Sequence, residues 1–111
     1  MFPAIIEKHI EDLSRLCEIH HLKRLWVFGS VLGQNFGEDS DIDLLYEWDR
    51  GSILDEDYLD NHSQFIESVE SLFGRKIDFV HFPSLKNPYF IEEIKETSVL
   101  LYDKESKKVP V

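Results

Sequence analysis

Residues 26–47, WVFGSVLGQNFGEDSDIDLLYE, decide the fold that this sequence predicts. They begin within an apolar run, residues 25–28, which predicts a short buried strand. The run breaks at Gly29-Ser30, and a segment rich in Gly, Asn and Asp leads to a second strand that carries Asp41 and Asp43. Because side chains two apart on a strand project from the same face, we expect these two carboxylates to lie side by side.

The paired aspartates indicate a site for a cation. Neighbouring carboxylates repel each other unless a positive charge lies between them, and oxygen ligands suit a hard divalent ion. Ile42 and Leu44 alternate with the acids and are expected on the opposite face of the strand. The acids should therefore cluster at one edge of the sheet.

The Gly29-Ser30 pair indicates what such an ion would bind. A glycine after a strand lets a phosphate approach the backbone without meeting a Cβ. If Ser30 begins a helical turn, predicted over residues 30–34, its hydroxyl and the N–H groups lie at a positive helix end. A phosphate-binding bend that faces two metal-binding carboxylates is typical of phosphoryl or nucleotidyl transfer.

Gly29-Ser30, followed after ten residues by Asp41-Ile42-Asp43, resembles the signature of the minimal nucleotidyltransferases, a branch of the DNA polymerase β superfamily. The resemblance implies an α/β (α+β) nucleotidyltransferase fold, with a small mixed β-sheet flanked by helices, over residues 1–103. Residues 104–111 would form a polar C-terminal tail. The resemblance also implies a third acid on a later strand, and Asp78 occupies that place.

Roles for the site residues follow from the same resemblance. Asp41, Asp43 and Asp78 would be the catalytic residues and would bind Mg²⁺, with two ions expected. Gly29 and Ser30 would hold the β- and γ-phosphates of ATP or another nucleoside triphosphate. Asp78 could also help to remove the proton of the acceptor.

The residues alone leave a second interpretation of Asp78 open. A charge within a mostly apolar strand is costly unless it has a partner. Asp78 could instead be an edge-strand charge that faces water, paired with Lys76 or Arg75.

One departure from the family pattern bears on activity. The family commonly has Arg and then Gly four and five positions after the first glycine, whereas Gly33 and Gln34 stand there in this chain. A missing basic side chain beside the phosphates favours an alternative function, an antitoxin that acts by contact and retains a weakened site.

Composition limits the class of partner. A chain of 111 residues is expected to form one domain. Its net charge of −10 is expected to repel free nucleic acid. It has no apolar run near the roughly 20 residues that span a bilayer, so no membrane partner is expected. One cysteine and the absence of a signal-peptide pattern favour the cytoplasm.

From the resemblance we expect a Mg²⁺-dependent enzyme that moves an NMP, in the first instance AMP from ATP, onto a hydroxyl of a partner protein. Minimal nucleotidyltransferases often accompany a small all-helical toxin of the HEPN type, which is the expected partner. Transfer to a small molecule such as an aminoglycoside, with a partner subunit completing the pocket, is a further alternative. A homo-oligomer is also left open.

Apolar periodicity predicts the remaining elements. We expect helices over residues 3–20, 54–73 and 88–97, and strands over residues 23–28, 40–48, 75–82 and 98–102. Cys17, His20 and His21 lie together at the end of the first helix, but a structural zinc site needs four ligands. We therefore expect a core cysteine and helix-capping histidines there.

Overall fold

A computed structural model describes residues 3–33, 37 and 40–105, with the backbone alone for Ser30 and Val31. In chain order, the helices and strands are α1 (Ala4–Ile19), β1 (Leu22–Phe28), β2 (Ile42–Trp48), α2 (Tyr58–Phe73), β3 (Ile77–His81), α3 (Pro88–Thr97) and β4 (Val99–Asp103). Short 3-10 helices occur at Gly29–Leu32, Arg50–Ser52, Asp55–Asp57 and Phe82–Ser84. The predicted class, a small mixed sheet flanked by helices, is confirmed.

The four strands form one sheet in the order β3-β2-β1-β4. β1 is antiparallel to both β2 and β4, whereas β2 and β3 are parallel and are joined through α2. Asp43 is paired with Phe28 of β1 on one side and with Asp78 of β3 on the other. The acid-bearing strand β2 is therefore held between two neighbours, while β3 lies at an edge of the sheet.

Helices α1 and α2 cover one face of the sheet and run antiparallel to each other. The ring of His9 in α1 lies 5.2 Å from that of Phe73 in α2, and His20, just after α1, lies 5.7 Å from Phe65. Ile42 and Leu44 are fully buried in the core beneath these helices. Asp43, which alternates with them, consequently projects from the opposite face.

Three predicted starts are wrong by two or more residues. The strand expected from residue 75 begins at Ile77. The strand expected from residue 40 begins at Ile42, where the N–H first joins the ladder by donating to the carbonyl of Lys76 at 3.4 Å. The helix expected from residue 54 begins at Tyr58, because the acidic segment Asp55–Asp57 forms a 3-10 turn instead.

Local chemistry explains the bounds that were predicted correctly. The side chain of Asn87 accepts hydrogen bonds from the N–H groups of Tyr89 and Phe90 at 2.9 and 3.3 Å, so α3 begins at Pro88. Gly74 has φ of 64° and ends α2 in the left-handed conformation that glycine adopts most easily. Residues 106–111 of the predicted tail lie outside the described residues.

The group formed by Cys17, His20 and His21 belongs to the core and the helix end, as expected. Cys17 is fully buried, and that burial raises the pKa of its thiol. The ring of His20 lies within hydrogen-bond distance, 3.2 Å, of the side-chain oxygen of Asn61. Within the described residues, no helix has the length and apolar character needed to cross a membrane.

Candidate active site

Gly29 forms the bend at which β1 ends. Its φ is 78°, a left-handed conformation that side chains with a Cβ rarely adopt. A methyl group at this position would overlap the Oδ2 atom of Asp43 and come within 3.1 Å of its Cγ. Both the backbone conformation and the closeness of the carboxylate therefore require glycine here.

The bend continues as a 3-10 helix, Gly29–Leu32, rather than as the helix predicted over residues 30–34. Four residues are too few for an appreciable helix dipole. The predicted phosphate contact would thus depend on the local N–H groups and on the hydroxyl of Ser30, whose side chain lies outside the described residues. Gln34, the second residue of the family departure, lies outside them as well, and Gly33 is an exposed bend.

Asp41 and Asp43 flank the first residue of β2. Asp41 immediately precedes the strand and Asp43 is its second residue, and both side chains are half-buried. Ile42, between them, is fully buried on the helical side. The predicted alternation of acids and apolar residues is therefore confirmed at this end of the strand.

Asp78 occupies the equivalent position on the neighbouring strand. It is the register partner of Asp43 in the parallel pair of β2 and β3, so both residues lie on the same face of the sheet. The side chain of Asp78 is exposed, whereas Ile77 before it is buried. Asp78 is therefore an edge-strand charge that faces water, as the second interpretation expects, although the described residues show no ion pair between Asp78 and Lys76.

The three aspartates supply the kind of ligands that Mg²⁺ prefers. Adjacent parallel strands lie about 4.8 Å apart, so register partners such as Asp43 and Asp78 are near neighbours. Among residues 3–33, 37 and 40–105, however, no three His, Cys, Asp or Glu side chains are gathered as tightly as metal binding requires. The backbone nevertheless brings Asp41, Asp43 and Asp78 to the same end of β2 and β3. Their carboxylate oxygens are ligands that fit a hard cation.

Arg75 is a residue of this region whose role the sequence did not reveal. Its Nη1 atom donates to the carbonyl oxygens of Gly37 and Ser40, at 3.1 and 3.0 Å. These two acceptor residues are also joined to each other, because the N–H of Ser40 donates to the carbonyl of Gly37 at 3.2 Å. Arg75 therefore ties the segment that precedes Asp41 to the start of β3, which carries Asp78.

The charge of Arg75 gives this tie its strength, since hydrogen bonds from a guanidinium are stronger than those between neutral groups. No spacing rule connects residues 35 and 38 positions apart, so the sequence carried no signal of these bonds.

Comparison with known proteins identifies relatives of the whole fold. The family model described as the nucleotidyltransferase domain matches residues 6–101. Two proteins of Methanocaldococcus jannaschii, both provisionally named protein adenylyltransferases, are 31% and 33% identical over 92 residues. Each match covers 83% of this chain and 86% of the relative.

Solved structures show the same architecture. A structure provisionally described as a minimal nucleotidyltransferase has a TM-score of 0.70 and 29% identity, with 89% of this chain and 95% of that chain covered. A Shewanella oneidensis complex of a tri-AMPylated HEPN toxin with its MNT antitoxin matches with a TM-score of 0.58 and 15% identity, covering 90% and 74%. A toxin–antitoxin structure with AMP-PNP matches with a TM-score of 0.63 and 16% identity, covering 88% and 77%. The predicted resemblance is confirmed.

Proposed function

This chain belongs to the nucleotidyltransferase domain family, and on that basis we propose that it transfers AMP from ATP to a hydroxyl group of a partner protein, with Mg²⁺ as cofactor. The observation that carries the proposal is the register pairing of Asp43 with Asp78, beside a glycine bend that touches the Asp43 carboxylate. Acids from two strands and a glycine bend then meet at the same end of β2 and β3.

The proposed reaction exchanges a phosphoanhydride bond of ATP for a phosphoester bond to the acceptor. The oxygen of the acceptor hydroxyl forms a bond to the α-phosphorus, and the bond from that phosphorus to the oxygen bridging the β-phosphate breaks. Pyrophosphate leaves, and the proton of the hydroxyl passes to a carboxylate. Asp78, the most exposed of the three acids, is our candidate for this proton acceptor.

Binding and orientation are the tasks that we assign to the other residues. Asp41, Asp43 and Asp78 would hold Mg²⁺, which when bound supplies positive charge to the phosphate oxygens. Gly29 and Ser30 would contact the β- and γ-phosphates through N–H and hydroxyl groups. Arg75 would act as a positioning residue, because it fixes the segment that leads to Asp41.

Two observations favour AMP as the transferred group and a protein as the acceptor. The Methanocaldococcus jannaschii relatives are named protein adenylyltransferases, and they cover most of this chain. The fold also matches the antitoxin of a complex whose HEPN toxin carries AMP groups. We therefore propose a HEPN-type protein encoded beside this chain as the first acceptor to test.

The test is transfer of a labelled nucleotide. The chain, Mg²⁺ and the protein encoded by the neighbouring gene are incubated in parallel with ATP labelled at the α-phosphate and at the γ-phosphate. We expect label on the acceptor only from α-labelled ATP, and none after addition of EDTA. Label from the γ-position, or equal labelling by Asp43→Asn, would contradict the proposal.

Contact without chemistry is the second candidate function, and Gly33-Gln34 in place of Arg-Gly favours it. The double variant Asp41→Asn, Asp43→Asn separates the two candidates. If that variant neutralises a toxic partner as fully as the native chain does, binding suffices. If neutralisation is lost while complex formation is retained, transfer is required.

A further inference from the structure

The exposed seam between α1 and α2 contains a groove, here called the helix-seam groove. One of its cavities, of 360 Å³, is lined by residues that include Ile19 and Ser68. A second cavity, of 450 Å³, lies beyond the end of α1 and is lined by α2 and the segment before it, including Leu54, Asp60 and Gln64. Because Gln64 and Ser68 lie one turn apart on α2, the two cavities follow each other along the same face of that helix.

Apolar side chains in the groove are unusually exposed. Ile19 is 59% exposed and Leu54 is 64% exposed, and each lines one of the two cavities. Leu16 and Leu72 line the first cavity as well and are half-buried against the core. Exposed apolar residues that share a concave surface indicate a contact site more strongly than scattered ones do.

The surroundings of the groove are acidic. Segments 4–19 and 55–73 contain ten Asp and Glu residues against two Lys and Arg, so eight of the ten net negative charges of the chain lie in them. Asp57 and Asp60 line the larger cavity. In the smaller cavity Asp12 is paired with Arg15 at 2.8 Å, so the negative charge is concentrated at the Asp57–Asp60 end.

We propose that the helix-seam groove binds one amphipathic helix of a protein partner, with the apolar stripe of that helix against Ile19 and Leu54 and with flanking Lys or Arg side chains facing Asp57 and Asp60. A seam between two antiparallel helices accepts a third helix by packing of ridges into grooves. From Asn61 to Leu72 the groove extends about 16 Å, which matches about three helical turns. This length fits a short helical segment.

Charge excludes two other occupants. A second copy of this chain would bring two acidic rims together, which costs free energy rather than gaining it. An anionic lipid surface would be repelled for the same reason. A helix with basic flanks is the occupant whose charge complements Asp57 and Asp60.

This inference rests on the proposed function, because it names the surface that holds the protein partner. The groove lies in the helical layer, whereas Asp43 and Asp78 project from the other face of the sheet. Anchoring and chemistry would thus use separate surfaces, and each can be removed without the other.

The test uses two fluorescent synthetic helical peptides of about 18 residues that share one leucine stripe but carry either Lys or Glu flanks. Binding to the full chain is measured by fluorescence anisotropy. We expect the Lys-flanked peptide to bind and the Glu-flanked peptide not to bind. Ile19→Ser and Asp60→Lys should each weaken binding about tenfold, because they remove an apolar contact and reverse a facing charge.

Glu92→Lys is the matched control, since Glu92 is exposed on α3 and its replacement changes the net charge as Asp60→Lys does. Native affinity in this control supports the proposal. Equal weakening by Glu92→Lys and Asp60→Lys would mean general charge attraction and would overturn it, as would binding of neither peptide or unchanged binding by Ile19→Ser. Asp43→Asn should bind the peptide normally although it transfers no AMP. If the native chain binds the peptide but transfers no AMP, only the proposed function is refuted.

Discussion

The two ends of β2 and β3 use the same pair of strands for opposite purposes. At the first end, Asp43 and Asp78 place two carboxylates side by side, half-buried or exposed. At the other end, the Tyr46 hydroxyl lies 3.1 Å from Nε2 of His62, and the ring of Trp48 lies 5.7 Å from that of Phe65. Neighbouring carboxylates therefore characterise one end of this strand pair, and packed aromatic rings characterise the other end.

The contrast indicates how stability and chemistry are divided. Like charges in register cost free energy, and a site that needs them must be supported elsewhere in the fold. The aromatic end provides that support, since its rings bury large apolar areas against α2. We therefore expect substitutions at the acidic end to lower activity and substitutions at the aromatic end to lower stability.

The largest effect is expected for Asp43→Asn. Loss of one carboxylate charge from the proposed Mg²⁺ site should lower the rate of AMP transfer on the order of 10³-fold, with stability changed by less than about 1 kcal/mol. Transfer of α-labelled AMP and urea unfolding measure the two quantities. Glu47→Gln is the control, because Glu47 lies on the same face of β2 but is paired with Arg24 at 3.2 Å. A rate for Asp43→Asn within tenfold of the native rate would contradict the assignment.

Gly29→Ala should rank second. The added methyl group would displace the Asp43 carboxylate, and alanine disfavours φ of 78°. We expect transfer to fall about 100-fold and the free energy of unfolding to fall by about 1–2 kcal/mol. Gly37→Ala is the comparison, because no atom of the described residues lies within 4 Å of a Cβ at that position. If both variants behave alike, the contact with Asp43 has no functional meaning.

Phe65→Leu tests the aromatic end. Phe65 is fully buried, and its ring meets those of His20, Trp48 and Phe79 at 5.7–5.9 Å. Imperfect filling of its site should lower the free energy of unfolding by about 1–2 kcal/mol. Transfer per folded molecule should stay native at a temperature where the variant is folded. A large loss of transfer in the folded variant would show that the two ends are coupled.

Arg75→Gln should have a moderate effect on chemistry. Without the guanidinium, the carbonyls of Gly37 and Ser40 lose a charged donor, and the segment before Asp41 is held less firmly. We expect a fall in kcat of about tenfold with little change in the KM for ATP. Arg75→Lys, which keeps the charge, should recover part of the loss. An unchanged kcat in Arg75→Gln would remove this residue from its positioning role.

The smallest effect concerns acid pH at the aromatic end. Burial, together with the nearby His81, lowers the pKa of His62 below its usual 6.5. The contribution of neutral His62 to the stability of the fold is therefore complete above about pH 6.5, the usual pKa of histidine. It is lost as the pH falls through the lowered pKa of the folded chain, because the unfolded chain binds the proton more readily. Between pH 7.5 and 5.5, His62→Gln should therefore lose less stability than the native chain does. Identical pH dependence would contradict this origin.

Where a chemical signal is local, the sequence predicted the fold well. Pro88 correctly predicted the start of α3, and Gly74 correctly predicted the end of α2. The alternation of apolar residues along the strands correctly predicted that Asp43 and Asp78 lie on the face opposite the buried residues. What periodicity cannot supply is the register between strands, which depends on contacts between residues far apart in the chain.

The errors have the same physical origin. Residues 40 and 41 have the alternation of a strand, but the ladder begins only where Lys76 offers a carbonyl to Ile42. The role of Arg75 was missed because its acceptors come from another loop. Whether Asp41, Asp43 and Asp78 bind metal together stays a prediction.

The position of Asp78 on the edge strand has a consequence for solubility. An edge presents unpaired N–H and C=O groups that can pair with another molecule, and a charge within such a strand discourages this association. Replacing Asp78 with an apolar residue would therefore invite aggregation as well as remove a proposed ligand. An inactive form of the protein for binding studies is better made at Asp43, which is flanked by strands on both sides.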